Sequence, residues 1–139
     1  MKNKKRKSRF LPFIVTAVVI LILFRISFYD GLSVKTYTID SPYTEETHTY
    51  AVITDLHSTL YGKGQSELIA EIDAISPEAV LFVGDIGEDR RDFDNTETLI
   101  LALTRKYPCY YVPGNHERWI DYADDIRPLF ESYGVVVMS

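Results

Sequence analysis

Three short polar groups in this chain carry residue types suited to metal chemistry: Asp55-Leu56-His57, Gly84-Asp85 and Gly114-Asn115-His116-Glu117. Carboxylate, imidazole and amide oxygen donors, without thiolates, suit Mn²⁺, Fe or Zn²⁺. Asp55 and Asp85 are thirty residues apart, and so are Asp85 and Asn115. One βα unit is about that long, so the spacing sets the three groups side by side on one sheet edge. Asp85, on the middle strand, can bridge two cations through its two oxygens. Two such ions about 3.5–4 Å apart hold a phosphoryl oxygen and acidify a bridging water. A histidine beside the second ion can protonate a leaving alkoxide. Each group alone also has a plainer reading. Asp55 and His57 fit a loop carboxylate and a solvated histidine, Asp85 a helix-capping turn, and Asn115 an Asx-turn with His116 as bystander. The shared spacing favours a site.

The elements that must position these groups follow from periodicity. Val34 to Ile39 alternates with a strand period, and Ser41-Pro42 begins a turn. A strand over about 47–54 delivers Asp55, and Gly62 and Gly64 give a flexible turn before a helix from about Ser66 to Ile75. Leu68, Ile69, Ile72 and Ile75 form its apolar face. Ala79 to Val83 is a continuous apolar run of buried-strand type that ends in Gly84-Asp85. After an acidic loop (Glu88, Asp89, Asp92, Asp94), a helix covers about 96–106 with Leu99, Ile100 and Leu103 inward. Cys109 to Val112 is the next strand and delivers Gly114-Asn115-His116-Glu117. A helix over about 121–132 contains Pro128, Gly134 caps it, and Val135 to Met138 is the last strand. The order βαβαβαβ predicts an α/β fold with a mainly parallel sheet and helices on both faces. Ligands gather at the C-terminal ends of such strands, where Asp55, His57, Asp85, Asn115 and His116 all sit. His48 lies in or just before a strand, away from those ends, and reads as structural or solvated.

Charge is divided along the chain. Six of the fifteen basic residues precede Phe10, and from Ile26 onward eight basic residues face all twenty acidic ones, a net of about -12. That surface repels a phosphate backbone, so no nucleic-acid binding is expected. Cys109 is the single cysteine, which excludes an intrachain disulfide and reads as a core residue. Phe10 to Tyr29 is twenty residues interrupted by one charge, Arg25, against the ~20 that cross a bilayer. With the basic run before it and no A-x-A cleavage site after it, the stretch reads as an uncleaved signal anchor. The expected organisation is a basic cytoplasmic head (1–9), a single-pass transmembrane anchor (10–29), a linker and first strand (30–46), and a domain outside the cytoplasm (47–139).

Asp55-Leu56-His57, Gly84-Asp85 and Gly114-Asn115-His116-Glu117, in this order, resemble the first three motifs of the calcineurin-like metallophosphoesterases. Ala51-Val52-Ile53-Thr54 and Ser58 look like the membrane-associated bacterial branch of that family. The resemblance covers roughly residues 34–139. It implies a β-sandwich flanked by helices, of which this chain holds the N-terminal half, and a pair of divalent cations. It implies Asp55 and His57 on the first metal, Asp85 bridging, Asn115 on the second, His116 as acid-base residue and Glu117 as a loop support, with Gly84 and Gly114 shaping the turns. It further implies a phosphoester substrate; location alone suggests a lipid-linked or envelope one.

The family completes its site with later histidines in Gly-His and Gly-His-x-His motifs, whereas this chain holds only His48, His57 and His116. The expectation is therefore a site lacking part of its ligands, weak metal binding, little turnover, and a sheet face left as an exposed apolar patch. A shortened reading frame, a cut polypeptide and a second chain supplying the rest all fit. A catalytically inactive, membrane-tethered interaction module that keeps the scaffold is the alternative to an enzyme. A metal-binding α/β domain of unrelated type is a third.

Overall fold

The computed structural model describes residues 11–27, 31–87, 93–115 and 122–138, in two compact units, Met1–Gly31 and Leu32–Ser139. In the first unit, helix α1 (Leu11–Ser27) follows from an uncharged, mainly apolar run from Phe13 to Phe24, broken only by Thr16. Its 17 residues rise about 25 Å, against a hydrocarbon core of about 30 Å. Among the described residues, no helix is long and apolar enough to cross a membrane.

The second unit is built on a four-stranded parallel sheet, β1 (Tyr50–Ile53), β2 (Ala79–Val83), β3 (Cys109–Val112) and β4 (Val136–Val137), in sequential order. Helices α2 (Ser66–Ile75), α3 (Asp94–Thr104) and α4 (Tyr122–Ser132) make the crossovers. The register aligns Ile53, Phe82, Tyr111 and Val137 across the sheet, with Ala51, Val80 and Cys109 in the row beside them. These residues pack in one core with Leu68 and Ile72 of α2, Leu99, Ile100 and Leu103 of α3, and Ile126 and Phe130 of α4. Phe130 fills the centre, its ring stacked on Tyr111 at 4.1 Å and edge-on to Phe82 at 6.4 Å.

Among the described residues, the helices lie on one face, whereas the element rhythm predicts both. With strand order 1-2-3-4 every right-handed crossover moves in the same direction and lays its helix on the same face. Among the described residues the opposite face is apolar and open, with Val52 59% and Val136 55% exposed. The strand expected over 34–39 is also absent. The segment is irregular and Val34, Tyr37 and Ile39 are exposed, since an alternating pattern makes a strand only where a neighbour completes the ladder. Ile75, assigned to the inner face of α2, is exposed as well, because it sits at the last position of the helix, beyond the edge of the core.

Polar ties also hold the helices to their neighbours. Lys106 Nζ and Tyr107 Oη donate to the two oxygens of Asp73 at 2.7 and 2.8 Å, linking α2 to the turn after α3. The hydrogen bond from Lys106, then that from Tyr107, holds the Asp73 carboxyl below the usual carboxylate range. Tyr133 donates to Glu97 Oε1 at 2.8 Å; burial, then this bond, pushes its hydroxyl up to about 12. Gly134 closes α4 as expected: its N–H donates to Glu131 O, and the Val135 N–H donates to Phe130 O. Cys109 is a core residue whose thiol burial pushes up to about 11, so it stays protonated at neutral pH. His48 bonds Glu78 through Nδ1 at 2.9 Å at the start of the sheet, the structural role expected of it.

Phe130→Ala removes the ring on which Tyr111 and Phe82 converge. It should cost about 3–5 kcal/mol, a large part of the ~5–15 kcal/mol of a typical domain, read as a shift in the urea midpoint. Ile75→Ala at the exposed end of α2 should change stability by less than about 0.5 kcal/mol.

Candidate metal centre

The C-terminal ends of β1 and β2 do not separate where the strands stop. Asp55 N–H donates to Gly84 O at 3.2 Å, His57 N–H to Asp85 O at 3.0 Å and Ser58 N–H to Ile86 O at 3.0 Å. The parallel ladder thus runs on through both loops, and Gly84 N–H donates to Val112 O at 2.8 Å on the β3 side. Leu56 and Ile86 are buried pegs within these loops. Driving Leu56 into the core turns its neighbours Asp55 and His57 outward together.

The outcome is a group of ligand atoms from Asp55, His57 and Asp85 that all lie within 4.8 Å of one another. Asp55 is exposed, and His57 and Asp85 are half-buried, so solvent and small ions reach the group. Thr54 Oγ1 donates to Asp55 Oδ2 at 2.8 Å and orients that carboxylate. Two carboxylates and one imidazole, with no thiolate, form a donor set that fits a divalent cation of the Mn²⁺, Fe or Zn²⁺ kind.

All three residues have left-handed backbones, with φ of 53° at Asp55, 46° at His57 and 53° at Asp85. Such conformations cost on the order of 1–3 kcal/mol each and gather at functional sites. Aspartate and histidine are among the types that tolerate this region best, so residue type and backbone agree here.

Glycines set the spacing between the second and third loops. Gly84 has φ of 68°, and a Cβ there would lie 3.0 Å from Gly114 Cα. A Cβ on Gly114 would collide with Asp85 Oδ1 and come within 2.6 Å of the Asp85 nitrogen. Gly114 is thus the position that lets the third loop close on Asp85. Asn115 follows directly and is exposed. His116 and Glu117 lie outside the described residues, as does most of the acidic loop, Glu88, Asp89 and Asp92.

Gln65 and Thr96, two buried polar residues tied to the loops of the candidate ligands, were not singled out from the sequence, and Ser58 was noted there only beside the first motif. Ser58, Gln65 and Thr96 are 1%, 0% and 0% exposed, and are the buried polar side chains among the described residues. Gln65 Nε2 donates to Thr59 O at 2.9 Å and to Asn95 O at 3.2 Å, while its Oε1 accepts from Tyr61 N–H at 2.9 Å. Thr96 Oγ1 is 3.1 Å from Ser58 Oγ and 3.3 Å from Ile86 O, and Asn95 Nδ2 donates to Ser58 O at 3.2 Å. The Gly62–Gly64 stretch, read as a flexible turn, is therefore fastened at Gln65. The sequence signal was slight: a glutamine among glycines, and a threonine in the first turn of a helix.

Gly114→Ala should displace the Asp85 carboxylate. It should weaken Mn²⁺ binding and lower stability by about 1–3 kcal/mol, both measured on one preparation by metal titration and urea unfolding. Wild-type values for both would show that the close approach of the two loops has no part in the site.

No curated protein and no solved structure matches the chain. The family model of the calcineurin-like phosphoesterases matches residues 48–137. That match spans β1 to β4 and all three groups of candidate ligands, and members of the family usually bind divalent metals. By that match over most of its length, and with the Asp-His-Asp group at the ends of β1 and β2, the chain belongs to the calcineurin-like phosphoesterase family.

Proposed function

We propose that the chain is a membrane-anchored, metal-dependent hydrolase of phosphate esters with a dinuclear centre. The observation that carries this is the convergence of Asp55, His57 and Asp85 within 4.8 Å inside the segment that matches the phosphoesterase family. Asp55 and His57 would hold one cation, Asp85 would be shared, and Asn115 would hold the second. When bound, divalent cations supply Lewis acidity toward the phosphoryl oxygens and make water acidic enough to attack phosphorus near neutral pH. The chain's own residues do the rest. The hydrogen-bonded loops hold the ligand side chains in place before substrate arrives, which removes part of the reorganisation cost from the reaction. His116 donates a proton to the ester oxygen as its bond to phosphorus breaks, so that the alcohol leaves neutral. Glu117, Gly84 and Gly114 support the turns that present these groups.

The anchor reading rests on α1, whose apolar side chains from Phe13 to Phe24 are exposed. It also rests on the apolar run, which extends past that helix to Phe10 and Tyr29, and on the basic residues before it. A cytoplasmic N-terminus and an extracytoplasmic domain follow from that basic flank, and a lipid-linked or envelope phosphoester is the substrate class that fits the location. A second reading, a membrane-tethered interaction module without turnover, draws on the open apolar face of the sheet.

Three experiments test these readings. Added Mn²⁺ should support slow hydrolysis of bis(p-nitrophenyl) phosphate, abolished by EDTA. Asp85→Asn should weaken Mn²⁺ binding by at least the ~10–100-fold seen when a supporting partner is lost. Unchanged binding in Asp85→Asn would sink the metal centre, and tight binding without hydrolysis would favour the interaction module. In cell fractions the full chain should sediment with membranes, and a chain lacking residues 1–31 should not. Equal behaviour of the two would overturn the anchor.

A further inference from the structure

The buried polar side chains of the described residues are not scattered; Ser58, Gln65 and Thr96 are all joined to the loops that carry the candidate ligands. Burying a hydroxyl or an amide is unfavourable unless its hydrogen bonds are met, so a core under purely structural demands would be apolar here. The connections of these three residues are specific. Thr96 Oγ1 lies 3.1 Å from Ser58 Oγ, one residue after His57, and 3.3 Å from Ile86 O, one residue after Asp85. A single hydroxyl thereby ties the loop of the first two ligands to the loop of the third. Gln65 closes the outer side by holding Thr59 O, Tyr61 N–H and Asn95 O together, so the 58–65 loop is fixed to the first turn of α3. Ile86 O, which the Thr96 hydroxyl reaches, also accepts the Ser58 N–H, and the next rung of the ladder is His57 N–H to Asp85 O.

Resting on the metal-centre reading above, we infer that Thr96, with Ser58 and Gln65, is a positioning bracket that sets the separation of His57 from Asp85. None of the three touches the cation. They act through the backbone of the two loops, whose left-handed residues would otherwise relax toward ordinary conformations.

The test compares full-length wild type, Thr96→Val, Thr96→Ser and Tyr133→Phe. Valine keeps the shape of threonine and removes the hydroxyl, serine keeps the hydroxyl, and Tyr133→Phe deletes a hydrogen bond of α3 outside the bracket, that to Glu97. The readouts are the Mn²⁺ dissociation constant and, without metal, amide hydrogen exchange at His57 and Ser58. Thr96→Val should weaken Mn²⁺ binding about 10–100-fold, the range for lost outer partners, and speed exchange at both amides. Thr96→Ser should restore both, and Tyr133→Phe should lower the unfolding midpoint without changing either. If Thr96→Val lowers the midpoint as Tyr133→Phe does and leaves affinity and exchange at wild-type values, the bracket is overturned. If wild type binds no Mn²⁺ but Thr96→Val still speeds exchange at His57 and Ser58, the metal reading fails and the bracket stands. Should Thr96→Val not fold, Ser58→Ala removes the same bond from the other side and decides the same comparison.

Discussion

The structure depends on a parallel ladder that continues after its strands have ended. A strand normally hands its chain to a loop that leaves the sheet, and the backbone groups then turn to water. Here the N–H groups of Asp55, His57 and Ser58 still donate to Gly84, Asp85 and Ile86. Leu56 and Ile86 stay in the core alongside β1 and β2. Two loops that would otherwise move independently therefore behave as an extension of the sheet. Their side chains inherit the sheet's precision, which a group of candidate ligands meeting within 4.8 Å requires.

The same sheet is one-sided. Sequential strand order puts α2, α3 and α4 on one face, so the core that fixes Phe82, Tyr111 and Phe130 lies entirely between that face and the helices. The ligand loops sit at the strand ends, above neither face, and their support comes from the helical side through Thr96 and Asn95 of α3. Helix α3 thus has two jobs at its two ends. Its first turn is fastened to the loops, and the turn after it is fastened to Asp73 of α2. A change that tilts the helix would be felt at both.

Much of this was legible in the sequence where a signal is local. The apolar run Ala79–Val83 and the Cys109–Val112 strand form as read, and α2 spans Ser66–Ile75 as read. The thirty-residue spacing did place Asp85 beside Asp55 and His57, because βα units of equal length return each strand to the same edge. Other features depended on partners. The alternation of Val34–Ile39 had no neighbouring strand to pair with, and the coverage of the sheet followed from strand order, which element rhythm does not encode. The bracket was the least visible. Thr96 at a helix start reads as an ordinary first-turn residue until the fold brings Ser58, thirty-eight residues away, to its hydroxyl.

Such a bracket answers two costs that the site carries before any ion binds. Asp55 and Asp85 bring two carboxylates to one place, and like charges held close together repel. The left-handed backbones at Asp55, His57 and Asp85 add strain in the same few residues. Both costs are felt before any cation arrives, and both favour opening of the loops. A bound cation offsets the repulsion, but it can only bind ligands already close together. Something other than the cation must therefore keep the loops closed, and apolar packing at Leu56 and Ile86 anchors only one residue of each. Directional hydrogen bonds from the buried Thr96 hydroxyl to Ser58 and Ile86, and from the buried Gln65 amide to Thr59 and Asn95, add to the backbone ladder, at a place where apolar side chains would fill space without setting an angle.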